Sequence, residues 1–244
     1  MKIIGVIPAR FGSTRFPGKP LALINGKPMI QHVYEQVSKS KYIDQIVIAT
    51  DHEKIIKTVE GFGGQAVMTK KDHETGSDRI SEVTSLVEGD FFVNIQGDEP
   101  LIDPRLIDDL IKTAQAENGR VVVTAKTQIH DHNDVANPNV VKVVTDKMQN
   151  ALCFSRSVIP YNRSNKEIDY FKHLGIYGYP KSILNEFVNL PQTPLEEVEM
   201  LEQLRLLENG YTIKVIETQY NAIGVDTPED IEKVEKILGG KHHV

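Results

Sequence analysis

Residues 3–20, IIGVIPARFGSTRFPGKP, join a short apolar segment to a loop that is rich in glycine, proline and basic residues. The β-branched residues within 3–7 predict a buried strand. Residues 8–20 cannot form a regular helix, because they contain two glycines and three prolines. In an open α/β sheet, ligands bind at the carboxyl ends of the strands, so this loop is a candidate binding site.

The chain continues with alternating strand and helix patterns. Apolar, β-branched runs that predict further strands lie at 46–49, 91–95, 121–124 and 140–145. Amphipathic segments between the first three strands predict helices that begin near Pro28, span 53–61, and span 77–87 with Ser77 as the cap. This alternation predicts an α/β fold with a mainly parallel, helix-covered sheet.

The second half of the chain shows a different pattern. Beyond about residue 120 the strands are closely spaced, which predicts either an extension of the sheet or a β-rich flap. Residues 195–208 predict one amphipathic helix that ends at Asn209-Gly210. Thr227-Pro228 supplies a capping hydroxyl and a first-turn proline, so a last helix is expected to begin there.

Composition excludes several classes of protein. The 244 residues, 40% of them hydrophobic, suffice for the core of one sizeable domain. The formal net charge of −6 argues against a broad nucleic-acid surface, which needs a basic face. No apolar run approaches the roughly 20 residues that cross a bilayer, so no membrane span is expected. Because the N-terminus leads directly into a strand, we expect no signal peptide and a cytoplasmic protein.

Three basic residues in the first loop suggest that it binds phosphate. Arg10, Arg15 and Lys19 lie within ten residues of each other and can supply charge to a triphosphate. Gly12 and Ser13 can turn backbone N–H groups towards the same ligand. The loop is not the GxxxxGK[ST] phosphate-binding loop, because proline follows Lys19. A solvated surface loop is the alternative interpretation.

Two aspartates are candidate metal ligands. Asp98 follows the strand predicted at 91–95, and Asp226 directly precedes the last helix. Carboxylates of this kind suit Mg²⁺, which binds through one or two carboxylates and substrate phosphates. Taken singly, Asp98 also suits a turn and Asp226 also suits a helix start. The backbone around 75–77 precedes a predicted helix, so it is free to read the edge of a base.

Several motifs together resemble the 3-deoxy-manno-octulosonate cytidylyltransferase family. They occur in the family's order from residue 3 to about residue 235. The motifs are IPARFGSTRFPGKPL at 7–21, NGKPMI at 25–30, NIQGDEP at 94–100, FSR at 154–156, KHLGIYGY at 172–179, EMLEQLR at 199–205 and GVDTPED at 224–230. One departure is Ser77-Asp78, where relatives often have Thr-Glu.

This resemblance implies a fold and an activity. The fold is Rossmann-like, with a mainly parallel sheet of the nucleotide-diphospho-sugar transferase type and a smaller β-rich flap region. The chain would be a single domain with a nucleotide-binding part at 1–120, a sugar-binding and dimerisation part at 121–225, and a C-terminal helix and tail at 226–244. The implied enzyme transfers CMP from CTP to the anomeric hydroxyl of 3-deoxy-D-manno-octulosonate (Kdo), releases pyrophosphate, serves lipopolysaccharide biosynthesis and forms a homodimer.

The resemblance also implies roles for individual residues. Catalytic roles are expected for Arg10, Lys19 and Asp98. Nucleotide-binding roles are expected for Ala9, Arg10, Ser13, Arg15, Lys19, Thr75, Gly76, Ser77 and Arg79. Sugar-binding roles are expected for Gln96, Arg156, His173, Tyr177, Glu202 and Gln203. The implied cofactor is Mg²⁺, with Asp98 and Asp226 as its ligands.

Other functions stay open from the sequence alone. The same reaction could use 8-amino-3,8-dideoxy-manno-octulosonate, because that change at the far end of the sugar needs few altered contacts. A sialic acid fits less well, since sialate cytidylyltransferases lack the HLGIYGY and EQLR pieces. A catalytically silent sugar-nucleotide sensor on the same fold is the alternative of another class, and a turnover assay separates it from the enzyme.

Overall fold

The structure, a computed structural model, describes residues 1–12, 16–73 and 75–240. Its strands are β1 Ile3–Ala9, β2 Leu23–Ile24, β3 Lys27–Pro28, β4 Gln45–Thr50, β5 Ala66–Met68, β6 Phe91–Asn94, β7 Val122–Gln128, β8 Lys142–Thr145, β9 Ala151–Ser155, β10 Phe171–Pro180 and β11 Ile213–Glu217. Its helices are α1 Met29–Val37, α2 Glu53–Gly61, α3 Gly76–Leu86, α4 Pro104–Ala116, α5 His132–Ala136, α6 Lys181–Phe187, α7 Pro194–Glu199, α8 Gln203–Glu208 and α9 Pro228–Gly240, with a 3-10 helix at Lys19–Leu21.

The chain divides into two compact units. The first unit comprises Met1–Asp108 and Ala222–Val244, and the second comprises Asp109–Asn221. The sequence predicted one domain with parts at 1–120, 121–225 and 226–244, and that division stays a prediction. In the described part of the chain, every helix is too short or too polar to span a membrane.

The first unit contains a parallel sheet. β1 pairs with β4 on one side and with β6 on the other, and β4 pairs with β5. Because β1 is an internal strand and α1 and α3 pack against it, its apolar residues are buried along almost the whole strand. The crossover helices α1 and α2 begin where the sequence predicts. The predicted α/β fold with a mainly parallel sheet is confirmed.

The second unit is richer in antiparallel pairs. β7 pairs parallel with β11 and antiparallel with β10. β8 pairs antiparallel with β10 and with β9, so β8 and β9 form a hairpin. The closely spaced strands that the sequence predicts beyond residue 120 are therefore present, in the form of a mixed sheet.

The cap of α3 differs from the prediction. Thr75 is the cap, because its hydroxyl accepts a hydrogen bond from the Asp78 backbone N–H at 3.1 Å. The Asp78 carboxylate in turn accepts one from the Thr75 backbone N–H at 3.1 Å. This reciprocal capping box satisfies two N–H groups at the start of the helix. Ser77, the predicted cap, lies inside the first turn and is buried.

The prediction of a single helix over 195–208 is wrong, because the structure has two helices there. α7 ends at Glu199, Met200 adopts a left-handed conformation with φ of 53°, and α8 begins at Gln203. The interruption has a tertiary cause, since the carbonyls of Glu199 and Met200 accept hydrogen bonds from the Arg156 guanidinium at 2.7 and 3.4 Å. The spacing of the leucines indicates which face of a helix is buried. It does not indicate that Arg156 binds the carbonyls of Glu199 and Met200.

Candidate active site

The carboxyl ends of β1, β4 and β6 lie at one edge of the parallel sheet of the first unit. Gly97, just beyond β6, lies very close to the end of β1, since a Cβ atom at this position would be 2.5 Å from the Pro8 carbonyl oxygen. Only glycine permits this approach without a shift of the backbone. The close approach sets the position of the next residue, Asp98.

Lys19, Asp98 and Asp226 form a cluster at this edge. The Lys19 ammonium donates to Asp98 Oδ2 at 2.6 Å, to the Val225 carbonyl at 2.9 Å and to Asp226 Oδ1 at 3.4 Å. The backbone pairs the same two segments, because the Val225 N–H donates to the Asp98 carbonyl at 2.9 Å. The two predicted metal ligands therefore meet around one cation. The side chain of Lys19 is 16% exposed, so its charge is only partly screened by water.

The loop that carries Lys19 is held at both ends. Gly18 has a φ of 70°, a left-handed conformation that favours glycine, and its N–H donates to the Phe11 carbonyl at 3.0 Å. The Phe11 N–H donates to Asp51 Oδ1 at 3.0 Å, and the Phe11 ring stacks on His52 at a centroid distance of 3.9 Å. These contacts fix the backbone at Phe11 and at Gly18, the residue before Lys19.

The donors in the Asp98 and Asp226 cluster fit a magnesium ion. Two carboxylates and one carbonyl oxygen already surround a positive charge, and Mg²⁺ prefers oxygen ligands. Within the described residues, no group of three or more His, Cys, Asp or Glu side chains could hold a metal. Mg²⁺ needs no such cage, since it is bound by one or two carboxylates with substrate phosphates and water as its other ligands.

The segment predicted to read the base begins α3. Arg79 is only 1% exposed, and it donates to the Thr69 hydroxyl and to the Lys70 carbonyl. Its Nη2 atom is buried without a hydrogen bond to any described residue, although Asp51 lies 3.9 Å away. Burial lowers the pKa of Arg79, and the charge of Asp51 opposes this shift. Thr69, Lys70 and Asp51 thus hold the Arg79 guanidinium inside the first unit, and its contact with a nucleotide stays a prediction.

In the second unit, His173 and Tyr177 lie on β10. His173 Nε2 is 2.9 Å from the Thr124 hydroxyl, and the ring packs against Phe154 and Tyr177 at centroid distances of 5.0 and 5.2 Å. Burial lowers the pKa of His173 to about 3, so the imidazole is neutral at physiological pH. The buried Tyr177 hydroxyl has no hydrogen-bond partner among the described residues, and burial raises its pKa well above the usual value.

Arg156 holds the turn that precedes α8. Its guanidinium donates to the carbonyls of Glu199, Pro138 and Met200 at 2.7, 3.0 and 3.4 Å. Its backbone N–H donates to Glu199 Oε2 at 2.8 Å. The three guanidinium bonds use three of its five N–H groups, so two are left for the predicted sugar carboxylate. Glu202 and Gln203 follow this turn at the start of α8.

For the other predicted site residues that it describes, the structure gives the position in the fold and the exposure but no contact that indicates a role. Ala9 is the buried last residue of β1, and the exposed Arg10 follows it. Gln96 lies two residues before Asp98 and is partly exposed. Ser13 and Arg15 lie outside the described residues. The roles of all these residues stay predictions.

Sequence reasoning missed several side chains that shape the second unit. Glu199 binds Ser155 and the backbone of Arg156. Lys142 is fully buried, and its ammonium donates to three backbone carbonyls, those of Asn137, Val140 and Arg156. Because a lysine in the middle of a strand pattern reads as an exposed residue, the sequence carries no signal for this role.

Comparison with known proteins adds independent evidence. A family model described as cytidylyltransferase matches residues 4–216. 3-Deoxy-manno-octulosonate cytidylyltransferase from Thermodesulfovibrio yellowstonii is 51% identical over a 252-residue alignment that covers 98% of both chains. The protein of that name from Fusobacterium nucleatum is 51% identical over 235 residues, 96% of each chain. The chain belongs to the 3-deoxy-manno-octulosonate cytidylyltransferase family.

A solved structure agrees with this family assignment. CMP:2-keto-3-deoxy-manno-octonic acid synthetase, solved in complex with CTP, superposes with a TM-score of 0.95 at 43% identity and covers 99% of this chain and 100% of its own. The predicted family and enzyme class, a CTP-dependent sugar nucleotidyltransferase, are confirmed. These cytidylyltransferases are named for the octulosonate, so they give no support to the 8-amino sugar, sialate and sensor alternatives.

Proposed function

We propose that the chain transfers CMP from CTP to the anomeric hydroxyl of Kdo, giving CMP-Kdo and pyrophosphate. The observation that carries this proposal is the meeting of Lys19, Asp98 and Asp226 at the sheet edge of a chain that belongs to this family. In the reaction, the C2 hydroxyl oxygen of the sugar forms a bond to the α-phosphorus. The bond from that phosphorus to the bridging oxygen breaks, and pyrophosphate and a proton leave.

The protein contributes positioning and charge. Lys19 and Arg10 neutralise the triphosphate, and the displacement asks for no covalent intermediate with the chain. The second unit offers side chains that can form hydrogen bonds with sugar hydroxyls. They are the neutral His173, Tyr177 and the polar side chains at the start of α8. The unpartnered, buried hydroxyl of Tyr177 supports this assignment, because a buried polar group without a partner is costly unless a ligand satisfies it.

Magnesium is the proposed cofactor, with Asp98 and Asp226 as ligands. The support is the donor set, in which two carboxylates and the Val225 carbonyl surround one positive charge. When bound, the ion would neutralise charge that develops on the transferred phosphoryl group. Without it, Lys19 is the cation that holds the two carboxylates together.

The proposed reaction is tested by following pyrophosphate release. CTP, ATP, GTP and UTP are each paired with Kdo, 8-amino-Kdo and N-acetylneuraminate, with Mg²⁺ and again with EDTA. We expect release with CTP and Kdo, and loss of that release in EDTA. Faster release with 8-amino-Kdo or N-acetylneuraminate than with Kdo would identify that acid as the acceptor. CTP binding without turnover of any pair would overturn the catalytic proposal and leave a sensor.

The cellular setting follows from the substrates. CTP is a cytoplasmic metabolite, so we propose that the reaction occurs in the cytoplasm. An activated octulosonate is suited to glycosyl transfer, and lipopolysaccharide biosynthesis is the proposed use.

We also propose that the chain forms a homodimer through its second unit. Large apolar side chains that are exposed in that unit include Met148, Leu152, Tyr161, Val198 and Met200. Tyr161 and Val198 are 84% and 83% exposed, and exposed apolar side chains are suited to a protein–protein contact where they lie together in one patch. Sedimentation velocity is expected to give twice the chain mass of 27.4 kDa. A single species of the chain mass at micromolar concentration would contradict the dimer.

A further inference from the structure

β10 carries an irregularity where it passes β7. Leu174 pairs with Ala125, but the next pair joins Tyr177 to Thr124, so Gly175 and Ile176 have no counterpart on β7. Such a bulge leaves ladder groups without their usual partners and redirects nearby side chains. His173 and Tyr177, both predicted to bind the sugar, flank this bulge.

The Thr124 hydroxyl fills the gap that the bulge creates. Thr124 is fully buried, and its Oγ1 lies 2.7 Å from the Ile176 carbonyl and 3.2 Å from the Leu174 carbonyl. The same oxygen lies 2.9 Å from His173 Nε2. One hydroxyl has one proton to donate and lone pairs with which to accept.

The pattern of donors and acceptors determines where the protons lie. The two carbonyls can only accept, so the hydroxyl proton is directed at a carbonyl, and the Ile176 oxygen is the nearer. The hydroxyl oxygen must then accept from His173, which requires a proton on Nε2. If the hydroxyl donated to His173 instead, the carbonyl oxygens of Leu174 and Ile176 would each face Thr124 Oγ1 with no proton between the two oxygens. That arrangement is repulsive.

This arrangement leaves one polar atom on the imidazole for a ligand. With the proton on Nε2, Nδ1 of the neutral ring is an acceptor only. Nδ1 makes no hydrogen bond to the residues that the structure describes. The ring cannot rotate freely, because Phe154 and Tyr177 pack against it. A group that only accepts is suited to a sugar hydroxyl, which can donate.

We propose that Thr124 is a positioning residue that fixes the tautomer of His173, so that Nδ1 accepts a hydrogen bond from a hydroxyl of the acceptor sugar. The proposal rests on the proposed function, because it takes the octulosonate as the ligand of this site. The competing role for Thr124 is purely structural, namely closure of the bulge. The two roles predict different results for the protonation of His173.

The tautomer is read directly by ¹⁵N NMR of histidine-labelled wild-type protein, with His173→Gln assigning the signal. We expect a protonated Nε2 and an unprotonated Nδ1 that do not titrate near neutral pH. A protonated Nδ1 in the wild type would overturn the proposal, and this reading requires neither turnover nor a Thr124 variant. It therefore also separates failure of this proposal from failure of the proposed reaction.

Two variants at position 124 then test the effect on the sugar. Thr124→Val keeps the shape and removes the hydroxyl, while Thr124→Ser keeps the hydroxyl. For Thr124→Val we expect a mixture of His173 tautomers and a KM for the sugar raised about fivefold to tenfold, with the KM for CTP within about twofold. Thr124→Ser should restore both the tautomer and the KM. Equal losses for CTP and sugar, with the tautomer unchanged, would assign Thr124 a structural role only.

Discussion

Lys19→Ala is expected to lower turnover by about 10²- to 10³-fold, the usual cost of losing one preorganised donor of a charge-stabilising site. Lys19 is the cation shared by Asp98 and Asp226, and it lies in the loop proposed to bind the triphosphate. Its removal would take one positive charge away from the phosphates and from the two neighbouring carboxylates. The measurement is the rate of pyrophosphate release with saturating CTP, Kdo and Mg²⁺.

A lysine that contacts none of these groups provides the control for this prediction. Lys39 is exposed in the same unit, and its ammonium donates to the Gln36 amide oxygen. Lys39→Ala should leave turnover within about twofold, because surface substitutions away from a site have small effects. A fall of less than about threefold for Lys19→Ala would remove Lys19 from the catalytic residues. Circular dichroism should show that both variants are folded, so that a loss of turnover reflects the site.

The parallel sheet was predictable because its signals are local. β1 and β4 are runs of β-branched residues, and α1 and α2 lie between the strands with apolar residues at helical spacing. The break between α7 and α8 was not predictable, since it depends on carbonyls that bind a distant arginine, Arg156. A prediction from periodicity alone continues a helix for as long as the leucines keep their helical spacing.

The same distinction applies to the site. The sequence made Asp98 a candidate because a glycine-containing acidic turn follows a buried strand, and Asp226 a candidate because it precedes a helix, although each also suited a purely structural role. Their meeting at Lys19 required the pairing of Val225 with Asp98, which only the fold shows. Thr124 was missed because threonine is an ordinary strand residue. Its hydroxyl gains a role only through the bulge in the neighbouring strand.

A buried ion pair in the second unit gives the largest expected effect on stability. Arg205 donates two hydrogen bonds to the Glu196 carboxylate, from Nε at 2.7 Å and from Nη2 at 2.5 Å. Both side chains are at most 10% exposed. The guanidinium also donates to the Phe187 and Leu190 carbonyls, so it joins the end of α6 to α7 and α8.

Glu196→Gln is expected to lower the free energy of unfolding by about 3–5 kcal/mol, because it leaves the buried charge of Arg205 without its counter-ion. Urea denaturation followed by circular dichroism measures the change. Asp109→Asn removes the partner of Lys112 from an exposed pair and should cost about 0.5 kcal/mol or less.

The double variant Glu196→Leu with Arg205→Met separates the cost of an unpaired charge from the value of the pair itself. Apolar replacement of a whole buried pair is often neutral or stabilising, so we expect the double variant to recover much of the loss. A double variant as unstable as Glu196→Gln would show that the stability comes from the other contacts of the two side chains, namely the hydrogen bonds from Arg205 to the Phe187 and Leu190 carbonyls and the bond from the Thr193 N–H to Glu196. A loss below about 1 kcal/mol for Glu196→Gln would mean that water reaches the guanidinium when its partner is removed.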